Sequence, residues 1–188
     1  MSISKTKPIP FASAISPQFA ILGFLRFRPM HGYDLQHHLA MNLREVWHIS
    51  QSQTYNILKR LEKEGWIDST NQPQEKRPDR TLYSLTNIGR TEFDNWLYTP
   101  TPSSARAIRM EFITRLFFAT QISKEVCIQL LQGQEHATQQ DLERLRKRLS
   151  DIPPSQVFNR LGLELRVKQL LSMLEWMDTC EPNLLHLT

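Results

Sequence analysis

The chemistry open to this chain is read first from its histidines and cysteines. His37 and His38 are adjacent, so their rings diverge on a helix. Together with His31 and His48 they lack the four-residue repeat that sets two metal ligands on one face. Cys127 and Cys180 stand apart, without metal-ligand spacing or the density of a disulfide framework, and are expected to be two reduced, partly buried thiols. There is no glycine-rich phosphate cradle, no nucleophile has an evident base, and the carboxylates are mixed with basic residues. No enzyme activity, metal or cofactor is expected. Hydrogen bonding and charge remain, and they gather in SQSQTYNILKRLEKEG, Ser50 to Gly65.

This segment reads as a helix with both ends marked. Ser50 can cap the first turn while Gln53 reaches back to the Ser50 amide, and Gly65 tolerates a left-handed exit. At about 100° per residue, Tyr55, Leu58 and Leu61 fall on one side. Ser52, Gln53, Asn56, Arg60 and Lys63 gather opposite, with Lys59 at the edge. One face suits a core and the other a polar, anionic partner. Periodicity alone favours the plainer reading of a solvated amphipathic helix.

The elements that must position this helix follow from the rest of the chain. Its 188 residues, 40% hydrophobic and 22% charged, match a soluble globular protein of one ordinary domain or two small ones. The longest apolar run, Phe19 to Leu25, falls far short of the ~20 residues that span a bilayer, and no signal-cleavage pattern is present. A cytoplasmic protein without a membrane partner is expected. The net charge of +4 permits a nucleic-acid partner without requiring one. Its distribution is more telling: Lys5, Lys7, Arg26, Arg28, Lys59, Arg60, Lys63, Lys76, Arg77 and Arg80 all lie in the first half.

Residues 1–17, with Pro8, Pro10 and Pro17, form an arm without regular structure, which Phe11 and Ile15 can dock. A helix from about Gln18 to Phe27 is stopped by Pro29, and His31-Gly32-Tyr33-Asp34 opens a second with Leu35, Leu39 and Leu43 inward. Trp47 and Ile49 fill the turn before the capped helix, an arrangement that reads as helix-turn-helix. Trp66-Ile67-Asp68 and Leu82, Tyr83 and Leu85 read as two strands, with NQPQEKRPDR as the hairpin tip between them, and so as a wing. Thr86 caps a helix that turns Phe93, Trp96 and Leu97 inward, completing a domain over residues 18–98. TPTPSS, residues 99–104, reads as a linker.

Residues 105–188 read as three helices. The first spans about Ala105 to Gln121, and the second follows the Ser123 cap, with Gly133 as a place for a bend. The third spans about Ser155 to Thr179, and its Leu163, Val167, Leu170, Leu174 and Met177 are spaced 4, 3, 4, 3. Such a seam needs a partner helix, and these five residues are expected to form the dimer interface with a second copy, packing on the two preceding helices being the alternative. The fold class is therefore mainly α with a small β wing: a winged helix-turn-helix domain followed by an all-helical dimerisation domain.

The first half resembles the PadR family of bacterial transcriptional regulators. The resemblance is carried by Ile21-Leu22-Gly23-Phe24-Leu25, His31-Gly32-Tyr33, Thr54-Tyr55, Leu58-Lys59-Arg60-Leu61-Glu62, Gly65-Trp66-Ile67, and Tyr83-Ser84-Leu85-Thr86 with Gly89. It covers roughly residues 18–97, and Arg109 to Phe118 is similar to the family's first C-terminal helix. It implies a homodimeric regulator of double-stranded DNA, expected to be a repressor released from a pseudo-palindromic operator. The implied roles fall on Ser52, Gln53, Asn56 and Lys59 for base edges and on Arg60, Lys76, Arg77 and Arg80 for phosphates, with Tyr33 and Tyr55 at the DNA surface. Gln51-Ser52-Gln53 departs from the family's more usual Pro-Gly-Thr run, so operator sequence does not transfer. Similar proteins take small aromatic or amphipathic effectors between winged and helical regions or in the dimer channel. Phe93, Trp96, Phe112 and Trp176 are placed to line such a space, ordinary core being the alternative reading. A winged-helix protein-interaction module without specific DNA binding is the competing function, given Glu62, Glu64, Asp68, Glu75 and Asp79 among the basic residues.

Overall fold

A computed structural model describes residues 15–72 and 80–185. The expected arm, apart from Ile15 to Pro17, and the wing tip with Lys76 and Arg77 lie outside the described residues. Helix α1 (Gln18–Phe27) leads through a two-residue strand β1 (Met30–His31) to α2 (Gly32–Asn42) and α3 (Gln51–Lys63). Strands β2 (Ile67–Gln72) and β3 (Arg80–Leu85) follow, then α4 (Asn87–Tyr98). The second half holds α5 (Ala105–Ala107), a π-helical turn (Ile108–Phe112), α6 (Ile113–Thr120), α7 (Lys124–Asp151) and α8 (Val157–Leu185).

Local sequence accounts for most helix limits. Ser50 and Gln53 form the reciprocal capping box at the start of α3. At its other end Gly65 sits at φ +71°. The Gly65 amide donates to the Glu62 carbonyl and the Trp66 amide to that of Leu61, which satisfies the last carbonyls. Thr86 caps α4 by accepting from the Gly89 amide, and Ser123 caps α7 by accepting from that of Val126. The sheet is antiparallel in the order β1-β3-β2, with Ile67 opposite Leu85 and Met30 opposite Tyr83. Three boundaries differ from expectation. β1 was not anticipated, the helix from Ala105 is interrupted by the π turn, and the last helix runs past Thr179 through Pro182 to Leu185. Gly133, the expected bend, lies inside α7 with open space around it.

Two apolar clusters hold the chain together. The first joins Ile21 and Leu22 of α1, Leu35 and Leu39 of α2, Leu58 and Leu61 of α3, and Phe93 and Leu97 of α4. Phe118 of α6 completes it, packed so closely under α1 that a Cβ at Gly23 would meet its ring at 2.3 Å. The second cluster joins Phe112 and Leu116 to Leu131 and Leu142 of α7 and to Leu170, Met173 and Met177 of α8. The helical stretch from Ala105 to Thr120 thus feeds both clusters, and packing is continuous across residues 99–104. That segment is clamped: Thr101 is buried, its amide donates to Gln134 Oε1 at 2.7 Å, and its carbonyl accepts from Gln134 Nε2 at 2.8 Å. None of the described helices is long and apolar enough to cross a membrane.

Candidate nucleic-acid interface

The polar face of α3 is built by the residues beneath it. Thr54, Leu58 and Leu61 are buried, which turns Ser52, Gln53, Tyr55, Asn56, Lys59 and Arg60 to the surface. The helix is about 20 Å long and presents hydroxyl, amide and cationic groups along one side. α2 fixes its attitude through Gln36, whose Nε2 donates to the Ile49 carbonyl at 2.9 Å while its Oε1 accepts from the Thr54 hydroxyl. Both bonds cross the turn between the helices.

The exposed groups are not equally free. Gln53 Oε1 accepts from the Ser50 amide at 2.7 Å, and Ser52 Oγ lies 3.0 Å from Ser50 Oγ, so both side chains serve the cap. Arg60 donates from Nη2 to Gln18 Oε1 at 2.7 Å, tying α3 to the start of α1. Asn56 and Lys59 are exposed, with no side-chain hydrogen bond among the described residues. Tyr55 is half-exposed and lies over Gly32, where an added Cβ would come within 2.7 Å of its ring, and Tyr33 is 68% exposed beside it in sequence. Here glycine is needed for a side chain's approach, not for its dihedral freedom.

Behind the helix, β2 and β3 carry the wing, and Arg80 stands exposed at its base opposite Gln72. Ser69 of β2 donates to Glu62 of α3, tying wing to helix. Tyr83 next to them has its phenol pushed up, first by burial and then by Glu62 and Tyr55. An anion approaching this face therefore meets Lys59, Arg60, Lys63 and Arg80, with Glu62 already engaged by a hydroxyl.

The aromatic residues expected to line an effector space are divided between the clusters. Phe93 is buried in the first, 5.7 Å from Trp96, which stacks on Phe19 at 4.8 Å. Phe112 is buried in the second, edge-on to Trp176 at 6.4 Å. Between them lies Arg115, 4% exposed, with its guanidinium 4.9 Å from the Trp96 ring and Nη1 donating to the Thr99 carbonyl. Burial lowers it to about 10, although Glu111 acts the other way. Its Nε has no partner among the described residues, and it lines a cavity of about 170 Å³ with Tyr98, Phe112 and Gln134. Gln36, Arg115 and Gln134 were not singled out from sequence, because their partners are distant polar atoms with no periodic trace.

The heptad seam turns inward. Leu170 and Met177 are buried, and Leu163, Val167 and Leu174 are half-buried in the second cluster with Leu131, Leu142 and Leu145 of α7. These five residues have their partner helix within the chain. Among the described residues, no group of His, Cys, Asp or Glu could hold a metal ion.

Residues 21–95 match the family described as transcriptional regulator PadR-like. Over those residues the winged half of the chain is similar to the PadR-like family. Residues 108–184 match a second family, described as the virulence activator alpha C-terminal region. Over 140 residues the chain is 29% identical to the negative transcriptional regulator PadR of Bacillus subtilis (strain 168), covering 73% of this chain and 71% of that one. Over 81 residues it is 30% identical to a Mycobacterium tuberculosis protein named a probable transcriptional regulator, covering 43% of each. The crystal structure of Bacillus subtilis PadR in complex with operator DNA aligns over 89% of this chain and 98% of its own, at TM-score 0.45 and 24% identity. The PadR-like relatives are transcriptional regulators, not enzymes. The PadR-like match begins at Ile21 in α1 and ends in α4, so it takes in every element that positions the polar face of α3.

Proposed function

We propose that this PadR-like chain is a homodimeric, sequence-specific DNA-binding repressor that lays α3 of each subunit into successive major grooves of a two-fold operator. The observation carrying this is the exposed face of α3, capped by Ser50 and held by Gln36, whose Asn56 and Lys59 have no other partner among the described residues. Asn56 suits a base edge, where an amide can pair with adenine. Lys59 stands beside it on the same face. Ser52 and Gln53 add hydrogen-bonding groups near the helix start, while Tyr33 and Tyr55 flank the face. Arg60 and Arg80, with Lys76 and Arg77 from the wing tip, would supply phosphate contacts that position the helix without reading sequence.

The effector part of the proposal concerns the cavity beside Arg115. A ligand of about benzene size fits 170 Å³, and an acid group on it would face Arg115, whose side chain lines the cavity. Phe112 supplies an apolar wall and Trp96 lies behind the guanidinium, whereas Phe93 belongs to the core and Trp176 to the outer grooves along α8. Binding there would act on Thr99 and, through Thr101 and Gln134, on the placement of α4 against α7. The test is a gel shift on DNA upstream of the chain's own gene, at low salt where phosphate contacts are strongest. Retardation that small aromatic acids relieve supports the whole reading. No retardation favours a protein-interaction module.

A further inference from the structure

The two flanks of α3 are tied to different parts of the molecule. At about 100° per residue, Asn56 and Lys59 lie between Tyr55 and Glu62 on one flank and Gln53 and Arg60 on the other. The first flank belongs to the wing, since Glu62 near the end of α3 accepts from Ser69 of β2. On the second, Arg60 donates to Gln18 at the start of α1, and Ile15 and Pro17 just before it line a cavity of about 330 Å³. The turn that leads into Ser50, from Glu45 to Ile49, forms another wall, and Arg106 of α5 and Arg109 of the π-helical turn close it from the helical half. This cavity thus sits beside the first turn of α3, across the polar face from the wing and at the other end of the helix.

Its rim is cationic. His48, Arg106 and Arg109 are exposed, and Glu45 is the acid among the described lining residues. None of the four has a side-chain hydrogen bond or ion pair among the described residues. A major groove, about 12 Å wide, has a phosphate backbone along each edge, so a helix lying in it brings one strand to each of its flanks. We propose that His48, Arg106 and Arg109 form a second phosphate clamp, through which the helical half grips the DNA strand that the wing does not reach. The inference rests on the DNA-binding reading above and adds a contact from outside the winged half. A small anion held in the cavity would bury its partners, whereas all three of these side chains are exposed, as suits a backbone passing over them. The arginine forks match the paired oxygens of a phosphate. Gln134, by holding Thr101, sets where Arg106 and Arg109 stand relative to α7, so less order is lost when they bind.

The test is fluorescence anisotropy of the full chain on the upstream DNA and on a scrambled duplex, over a salt series. Arg106→Gln and Arg109→Gln should each weaken both duplexes alike and lower the salt slope by about two, one for each subunit. Far-ultraviolet dichroism should be unchanged. Arg109→Lys keeps the charge and should keep the slope. Glu45→Gln should act the other way and tighten both duplexes, because it removes a carboxylate facing the same phosphates. A neutral methylphosphonate at the clamped phosphate should abolish the effect of Arg106→Gln, and that phosphate should lie on the opposite strand from the one that does so for Arg80→Ala. Unchanged salt slopes for Arg106→Gln and Arg109→Gln, with Arg80→Ala still lowering its own, would overturn the clamp and leave the DNA reading intact. Failure of the unsubstituted chain to bind either duplex at low salt would remove both.

Discussion

Gln36 and Thr54 join the two helices of the turn through a buried hydroxyl, and the same amide group holds the Ile49 carbonyl from its nitrogen. Replacing Gln36 by Leu keeps most of the volume but leaves the Ile49 carbonyl and the Thr54 hydroxyl without this partner. The expected cost is about 1 to 3 kcal/mol of stability, read as a lower thermal midpoint. DNA affinity should fall further than stability alone predicts, because the attitude of α3 is no longer fixed.

Gly89 meets Trp66, just before β2, at closer range than any side chain allows. A Cβ built there lies 2.0 Å from the Trp66 carbonyl oxygen, the same oxygen that accepts from the Thr86 amide and hydroxyl. Gly89→Ala should therefore destabilise the chain by about 1 to 3 kcal/mol by forcing α4 away from the strand start. Gly133→Ala, where open space surrounds the Cβ, should be neutral or stabilising by up to about 1 kcal/mol. Chemical denaturation of the two variants side by side checks the contrast.

Glu111 offers a pH test. Its carboxyl is raised, burial being the larger cause and Arg115 acting against it. The folded chain thus holds this proton to higher pH than the unfolded one, so the group makes stability fall as pH rises from the ordinary carboxylate range through the raised value. Glu111→Gln should raise the thermal midpoint at neutral pH, with the gain vanishing once the medium is acid enough to protonate Glu111 in both states. An equal gain at every pH would assign the effect to packing.

What the sequence disclosed was mostly local. Ser50, Gln53 and Gly65 announce both ends of α3 because each acts within four residues of itself, and the inward stripe of α2 follows from leucines four apart. β1 was invisible for the opposite reason: Met30 and His31 become a strand only by pairing with Tyr83 and Leu82. The same distance hid the clamp on residues 99–104, where Gln134 satisfies Thr101 from thirty-three residues away. TPTPSS reads as a linker because its own composition cannot report that partner. On α8 the heptad spacing marks an apolar face and suggests a second copy against it, whereas Leu131, Leu142 and Leu145 of α7 in the same chain pack on it.

Single changes on α3 separate cap from contact. Gln53→Ala removes a capping oxygen along with any base contact, so its loss of affinity should come with about 1 kcal/mol of lost stability. Asn56→Ala leaves the cap and core untouched. Circular-dichroism melts of both should shift for Gln53→Ala alone.

The central claim is that α3 reads base sequence while the wing holds the backbone. Fluorescence anisotropy over a salt series, on the upstream DNA and on a scrambled duplex, measures it directly for Asn56→Ala and Arg80→Ala. Asn56→Ala should cost about 1 to 3 kcal/mol per half-site on the upstream DNA and little on the scrambled one, whereas Arg80→Ala should weaken both alike and lower the salt slope by about two, one for each subunit. Equal losses on the two duplexes for both variants, with unchanged salt slopes, would contradict it.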